Sequence, residues 1–181
     1  EGEPYIVVLG GKLGLGARSE PPVAPHPGRF RRYRRGMDHS DPVAPVVVIT
    51  GAGGTGITPV AADVTDPDSL STLADRVRAD FGRLDLVVTF AGVLGIGPLA
   101  ETDPQRVQHV LDVNVMGTVR TVHALWDLLR ETGGRVVLIS SETGPQHGMP
   151  MNGAYAMSKH AIEAYGDALR RELMFLGMDV V

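Results

Sequence analysis

Val46–Thr50 is an unbroken apolar run of β-branched residues that stops abruptly at Gly51-Ala52-Gly53-Gly54. Such a run, with no polar alternation, reads as a buried parallel strand feeding a glycine turn. Parallel strands need crossover connections, and the rest of the chain supplies them. Thr58–Ala62 is a weaker strand candidate. Asp66-Pro67-Asp68-Ser69 supplies cap chemistry for a helix over about 68–81, with Leu70, Leu73, Val77 and Phe81 on one face. Asp85–Phe90 is the next strand. Thr102-Asp103-Pro104 opens a long helix to about Glu131, stopped by Gly133-Gly134. Arg135–Ser140 is a strand, 153–176 a helix closed by Gly177, and Met178–Val181 begins another strand. The alternation predicts a Rossmann-like doubly wound parallel sheet with helices on both faces, incomplete in this chain. Ligands in such sheets bind beyond the carboxyl ends of the strands. The glycine turn after Thr50, the pair Ala91-Gly92 and Ser140-Ser141 all fall at such ends, so they form one site.

Upstream the composition changes. Residues 1–45 hold 7 of the 13 prolines and no sustained period, so they read as an irregular or disordered extension, although Tyr5–Leu9 could pass as a short strand. The fold proper is expected over 46–181, with residues 1–36 outside it. Charge divides the same way. Residues 1–36 carry seven Lys/Arg against three Asp/Glu, whereas 37–181 carry ten against eighteen. The acidic body offers no nucleic-acid face. The basic run Arg29, Arg31, Arg32, Arg34 and Arg35 reads as a solvated tail. With no cysteine, disulfides, Cys-ligated zinc and thiol nucleophiles are excluded. No run approaches the roughly 18 apolar residues of a membrane span. Lys12 interrupts the one early apolar stretch, so the expectation is a cytoplasmic protein with no membrane partner.

Two residues carry the chemistry. Tyr155 and Lys159 are four apart at the start of a helix, on one face. A tyrosine near its reference pKa of about 10 is a poor base at neutral pH, and a nearby lysine cation favours the phenolate. The pair can take a proton from an alcohol or give one to a carbonyl. Ile139-Ser140-Ser141 ends a strand shortly before, so a hydroxyl can sit beside the phenol. Asn114 lies within a long helix among Leu111, Val113 and Val115, a buried setting in which its amide must find partners.

Thr50-Gly51-Ala52-Gly53-Gly54, Asp63-Val64-Thr65-Asp66, Ala91-Gly92, Asn114, Ile139-Ser140-Ser141 and Tyr155-Ala156-Met157-Ser158-Lys159 occur in this order. As an ordered set over 46–181 they resemble the short single-domain kind of short-chain dehydrogenase/reductase. The resemblance implies an NAD(P)-dependent oxidoreductase acting on CH-OH groups, interconverting a secondary alcohol and a ketone. It implies Tyr155 as general acid/base and Lys159 as the group that lowers its pKa and holds the nicotinamide ribose hydroxyls. Ser141, preferred to Ser140 because Gly144 follows three residues later, would orient the substrate oxygen. Asn114 would hold a water in the proton relay. The cofactor, NAD or NADP, would meet Gly51, Gly53 and Gly54, the pair Asp63 and Val64 at its adenine, Ala91 and Gly92 along its backbone approach, and Tyr155 and Lys159. No metal is implied. His147, Met149 and Met151 are candidates to line the substrate site. The helices over 104–131 and 153–176 would pair subunits into a homodimer or homotetramer.

The chain departs from that pattern. Thr55 stands where a turn glycine is expected, and Thr89-Phe90 replaces the usual Asn-Asn before Ala-Gly. Only eight residues separate Gly54 from Asp63, whereas a strand–helix–strand unit needs roughly 30. The first crossover helix, the second strand and its helix are therefore absent. Residues 51–57 span at most about 25 Å and cannot fill the place of a strand. The expectation is a hole in the sheet, from an internal deletion near 54–55, by omission or gene fragmentation or in a genuinely shortened protein, together with a missing C-terminal part. The alternative function is a catalytically inactive binding or scaffold fragment that kept the half-fold.

Overall fold

The structure, a computed structural model, describes residues 5–9, 47–50 and 58–181. A six-stranded sheet is built from β1 (Tyr5–Leu9), β2 (Val47–Thr50), β3 (Thr58–Ala61), β4 (Leu86–Thr89), β5 (Arg135–Leu138) and β6 (Asp179–Val180). Its order is β3-β1-β2-β4-β5-β6. From β2 to β6 neighbouring strands are parallel, and the crossovers between them are helical, as the β-branched runs predict.

Tyr5–Leu9, which the sequence offers as a short strand, is a strand of the sheet. It runs antiparallel to both neighbours, pairing Ile6 with Thr50 and Val8 with Val48 on one side. On the other side Tyr5 pairs with Ala61 and Val8 with Thr58. The expected hole between β2 and β3 is thus filled. The cause is backbone satisfaction: two facing strand edges hold rows of N–H and C=O groups that need partners. A β-branched segment free of a crossover can enter in either direction, and Tyr-Ile-Val-Val-Leu does. The arginine run at 29–35 and the glycine turn at 51–54 lie outside the described residues.

The helices follow their caps. α1 (Pro67–Phe81) starts with the Asp66 carboxylate accepting the Asp68 N–H at 3.0 Å and ends at Gly82, whose φ of 66° is the left-handed C-cap. The single helix expected over 104–131 is instead three pieces. α2 (Pro104–Leu111) is capped by Asp103. A π-turn over Asp112–Met116 joins it to α3 (Gly117–Ala124), and a break at Leu125 precedes α4 (Trp126–Thr132). α5 (Gly153–Leu173) runs into a short 3₁₀ turn and closes at Gly177, φ 71°.

Burial alternates along the strands. Val48, Val87, Val136 and Val180 are buried with Leu70, Leu73 and Val77 of α1 and Leu125, Leu128 and Leu129 of the α3–α4 region. Each such side chain taken fully from water is worth about 1.5–3 kcal/mol. Leu86, Val88 and Val137, on the alternate face, are half-buried. No helix among the described residues is long and apolar enough to cross a membrane. Nor does any group of three or more His, Asp or Glu among them suit a metal ion.

Candidate active site

The ends of β4 and β5 lie by the first turns of α5, and Asn114, Ser141, Tyr155 and Lys159 gather there, with Asp63 farther along the same edge of the sheet. Lys159 is 7% exposed. Its Nζ donates to the Ile139 carbonyl at 2.6 Å, at the end of β5, and lies 5.5 Å from the centre of the Tyr155 ring. The i, i+4 spacing produces this approach, and the carbonyl bond fixes the direction of the lysine stem. Burial holds Lys159 below its ordinary value of 10.5, because the cation has lost water.

Asn114 sits inside the π-turn at 2% exposure. The turn carries one residue more than an α-helix needs, with the Gly117 N–H reaching the Asp112 carbonyl. The side chain faces the loop after β4. Its Oδ1 accepts the Val93 N–H at 2.7 Å and its Nδ2 donates to the Val93 carbonyl at 3.0 Å. A second bond from Nδ2 reaches Ser158 Oγ at 2.9 Å. Both amide donors are therefore committed to protein. Any water held by Asn114 falls to its other oxygens, and its backbone carbonyl already accepts Thr118 Oγ1 at 2.9 Å. Val93 N–H must point at an oxygen, which fixes the amide orientation.

Ser141 is half-buried at the end of β5, its Oγ accepting the Thr143 N–H at 3.5 Å. Gly144, the residue that singled out Ser141, has its structural reason in the neighbour: a Cβ there collides with Ser140 Oγ and sits 3.1 Å from Glu163 Cγ. Ser140 Oγ is buried and has no hydrogen-bond partner among the described residues.

At the end of β3, Asp63 Oδ1 accepts both the N–H and the hydroxyl of Thr65, each at 2.8 Å, while the Asp63 N–H donates to Ser69 Oγ at 2.9 Å. Val64 is buried against Gly117, where a Cβ would lie 2.8 Å from Val64 Cγ2. Its side chain belongs to the core. Gly92 is backed by Asn114, a Cβ there meeting Oδ1 at 3.3 Å. Beside it Ala91 is half-buried and Phe90 is 58% exposed. Asp63, Ala91, Gly92, Asn114, Ser141, Tyr155 and Lys159 thus occupy one edge, whereas Gly51, Gly53 and Gly54 lie outside the described residues.

Sequence reasoning missed three residues here. Ser158 is fully buried, and its hydroxyl donates to the Tyr155 carbonyl at 2.7 Å while accepting from Asn114. Met157 and His160 join Leu99, Met149 and Met151 along an open apolar groove of about 890 Å³. His147 is not among its lining residues. His160 Nδ1 is 2.9 Å from the Ala156 carbonyl. Helical periodicity from Gly153 would have placed Met157 and His160 on one flank.

Residues 5–181 match the family model described as short chain dehydrogenase. An NAD-dependent oxidoreductase of Mycobacterium tuberculosis is 40% identical over 120 residues, which is 65% of this chain and 43% of that protein. A short-chain dehydrogenase structure from Streptomyces avermitilis superposes with a TM-score of 0.63 at 33% identity, covering 67% of this chain and 45% of its own. An alcohol dehydrogenase from the archaeon Thermococcus sibiricus, solved with 5-hydroxy-NADP, gives 0.61 at 27% identity over 66% of this chain and 49% of its own. The chain spans less than half the length of each.

Proposed function

Because the chain belongs to the short-chain dehydrogenase family, whose model it matches over 5–181, we propose that it interconverts a secondary alcohol and a ketone, with NAD or NADP as cofactor and Tyr155 as general acid/base. The observation that carries this reading is the Lys159 Nζ 5.5 Å from the Tyr155 ring, anchored on the Ile139 carbonyl beside Ser140 and Ser141. The residues at the edge suit a dinucleotide at two places. Gly92 is exposed with its missing Cβ turned towards Asn114, and the exposed Asp63 would close the far end. When bound, the nicotinamide supplies or accepts the hydride.

The chain's own residues handle the proton. In reduction Tyr155 gives its phenolic proton to the substrate oxygen, and in oxidation it takes the hydroxyl proton. Lys159, a cation beside the ring, stabilises the phenolate. Its own proton is loosened by burial, so it can pass one onward. Ser141 orients the substrate oxygen, and Asn114 holds the Val93 loop in place. Homodimers or homotetramers paired through α2–α4 and α5 accompany this reading. Replacing the phenol with Tyr155→Phe should abolish turnover and leave NADH affinity within about twofold. Persisting turnover removes Tyr155 from the role of acid/base.

A second reading has one observation in its favour. The place of a parallel second strand is taken by the antiparallel β1, as suits an inactive binding or scaffold fragment. Titration with NADH and with NADPH separates the two, since a scaffold need bind neither.

A further inference from the structure

The Tyr155–Lys159 turn is tied to the sheet at two points. Lys159 Nζ binds the Ile139 carbonyl at the end of β5. One residue earlier, Ser158 Oγ donates to the Tyr155 carbonyl at 2.7 Å and accepts from Asn114 Nδ2 at 2.9 Å. Asn114 in turn clamps both polar groups of the Val93 backbone. A continuous chain of bonds therefore runs from the loop after β4, through the π-turn, to the backbone of the acid/base. Ser158 is its link into α5 among the described residues. It is 0% exposed, so no water competes for its hydroxyl.

Resting on the oxidoreductase reading above, we propose that Ser158 is a positioning residue for the reaction: its hydroxyl sets the Tyr155–Lys159 turn against the Val93 loop. A hydroxyl suits the place because one group must accept from an amide and donate to a carbonyl at once. Alanine keeps the volume to within one atom and can do neither. In Ser158→Ala the Asn114 amide loses one acceptor and the first turn of α5 loses its brace. The turn is then held by the helix and by the Lys159–Ile139 bond.

The test compares Ser158→Ala and Ser158→Thr with wild type in three measurements: NADH affinity by fluorescence, NADH-dependent reduction of cyclohexanone and acetophenone as probe ketones, and hydrogen exchange of the Val93 amide. The expected result for Ser158→Ala is a kcat lowered about tenfold with KM and NADH affinity within about twofold, and Val93 exchange about fivefold faster, the effect of one lost hydrogen bond. Ser158→Thr, which keeps the hydroxyl, restores both. Should Ser158→Ala fail to fold, Ser158→Cys replaces it, and its weak thiol donor gives a smaller shift in the same direction. A folded Ala or Cys variant with wild-type kcat overturns the proposal, as does a folded Thr variant as impaired as Ala. If wild type binds neither NADH nor NADPH and reduces neither ketone with either, the oxidoreductase reading fails separately. Val93 exchange then decides whether Ser158 positions the turn, and unchanged exchange overturns that too.

Discussion

Replacing Asn114 by alanine and by aspartate separates its bonding from its volume. The wild-type amide makes three hydrogen bonds at 2.7, 3.0 and 2.9 Å in a site 2% exposed. Alanine leaves the Val93 N–H and carbonyl without their partner in a half-buried loop, and Ser158 Oγ without a donor. Each stranded group costs about 1–3 kcal/mol, and water reaches the loop in part, so a loss of about 2–5 kcal/mol is expected. Aspartate has nearly the same shape and can still accept from Val93 N–H. It cannot donate, so its second oxygen faces the Val93 carbonyl, oxygen against oxygen, and Ser158 can bond it only by turning its proton away from the Tyr155 carbonyl. Burial of the charge adds to that. Asn114→Asp should therefore be at least as damaging as Asn114→Ala, although it changes a single atom. Urea unfolding followed by far-UV circular dichroism measures both, and an unchanged m-value keeps the comparison valid. If Asn114→Asp is within 1 kcal/mol of wild type, the amide donors are not what holds the loop.

Two further substitutions probe charge and sheet. Burial holds Lys159 below 10.5, so between its folded value and 10.5 the unfolded chain binds more protons and wild-type stability rises with pH. Lys159→Met removes that contribution. The stability of wild type relative to Lys159→Met should climb as pH is raised towards 10.5, and parallel urea midpoints across that range would contradict the burial of a cation. Val7 pairs with Ile49 on one side and with Pro59 on the other, in the middle of β1. Val7→Pro deletes one ladder N–H and should cost about 3 kcal/mol or more; unchanged thermal unfolding would show that β1 does not occupy the slot.

The parallel core was legible because its signals are local. Asp66-Pro67 and Asp103-Pro104 start helices by side-chain capping, and Gly82, Gly133 and Gly177 stop the chain in the left-handed conformation, so the elements lie within a few residues of their expected bounds. The interruption at 112–116 was not legible. Asp-Val-Asn-Val-Met has no breaker, and the π-turn arises from what Asn114 reaches, a loop 21 residues earlier. For the same reason Tyr155 and Lys159 were found from spacing alone, while Ser158 was passed over. A serine before a lysine has no signature until the amide opposite it is in place. Gly144 shows the converse: it pointed to Ser141, yet the contact that demands a glycine is with Ser140.

The filled slot separates two jobs that a second parallel strand performs together. One is continuity of the sheet, which needs only backbone partners, and β1 supplies these from an apolar pentapeptide in the reverse direction. The other is presentation of a side chain at the carboxyl edge, where a parallel strand ends and can meet the adenosine ribose. That job depends on direction. Tyr5, beside Ala61, is where β1 begins at this edge, and the chain leaves at Leu9, which pairs with Val47 at the far edge. A helix N-terminus that faces a pyrophosphate follows a strand ending at the carboxyl edge, and β1 ends at the opposite one. Hydrogen-bond satisfaction restores the continuity of the sheet without presenting a strand end there. The Tyr155–Lys159 turn, braced by β5 and by the loop after β4, has no hydrogen bond to β1 among the described residues. Loss of β1 pairing should accordingly weaken the fold long before it alters the distance between Lys159 and Tyr155.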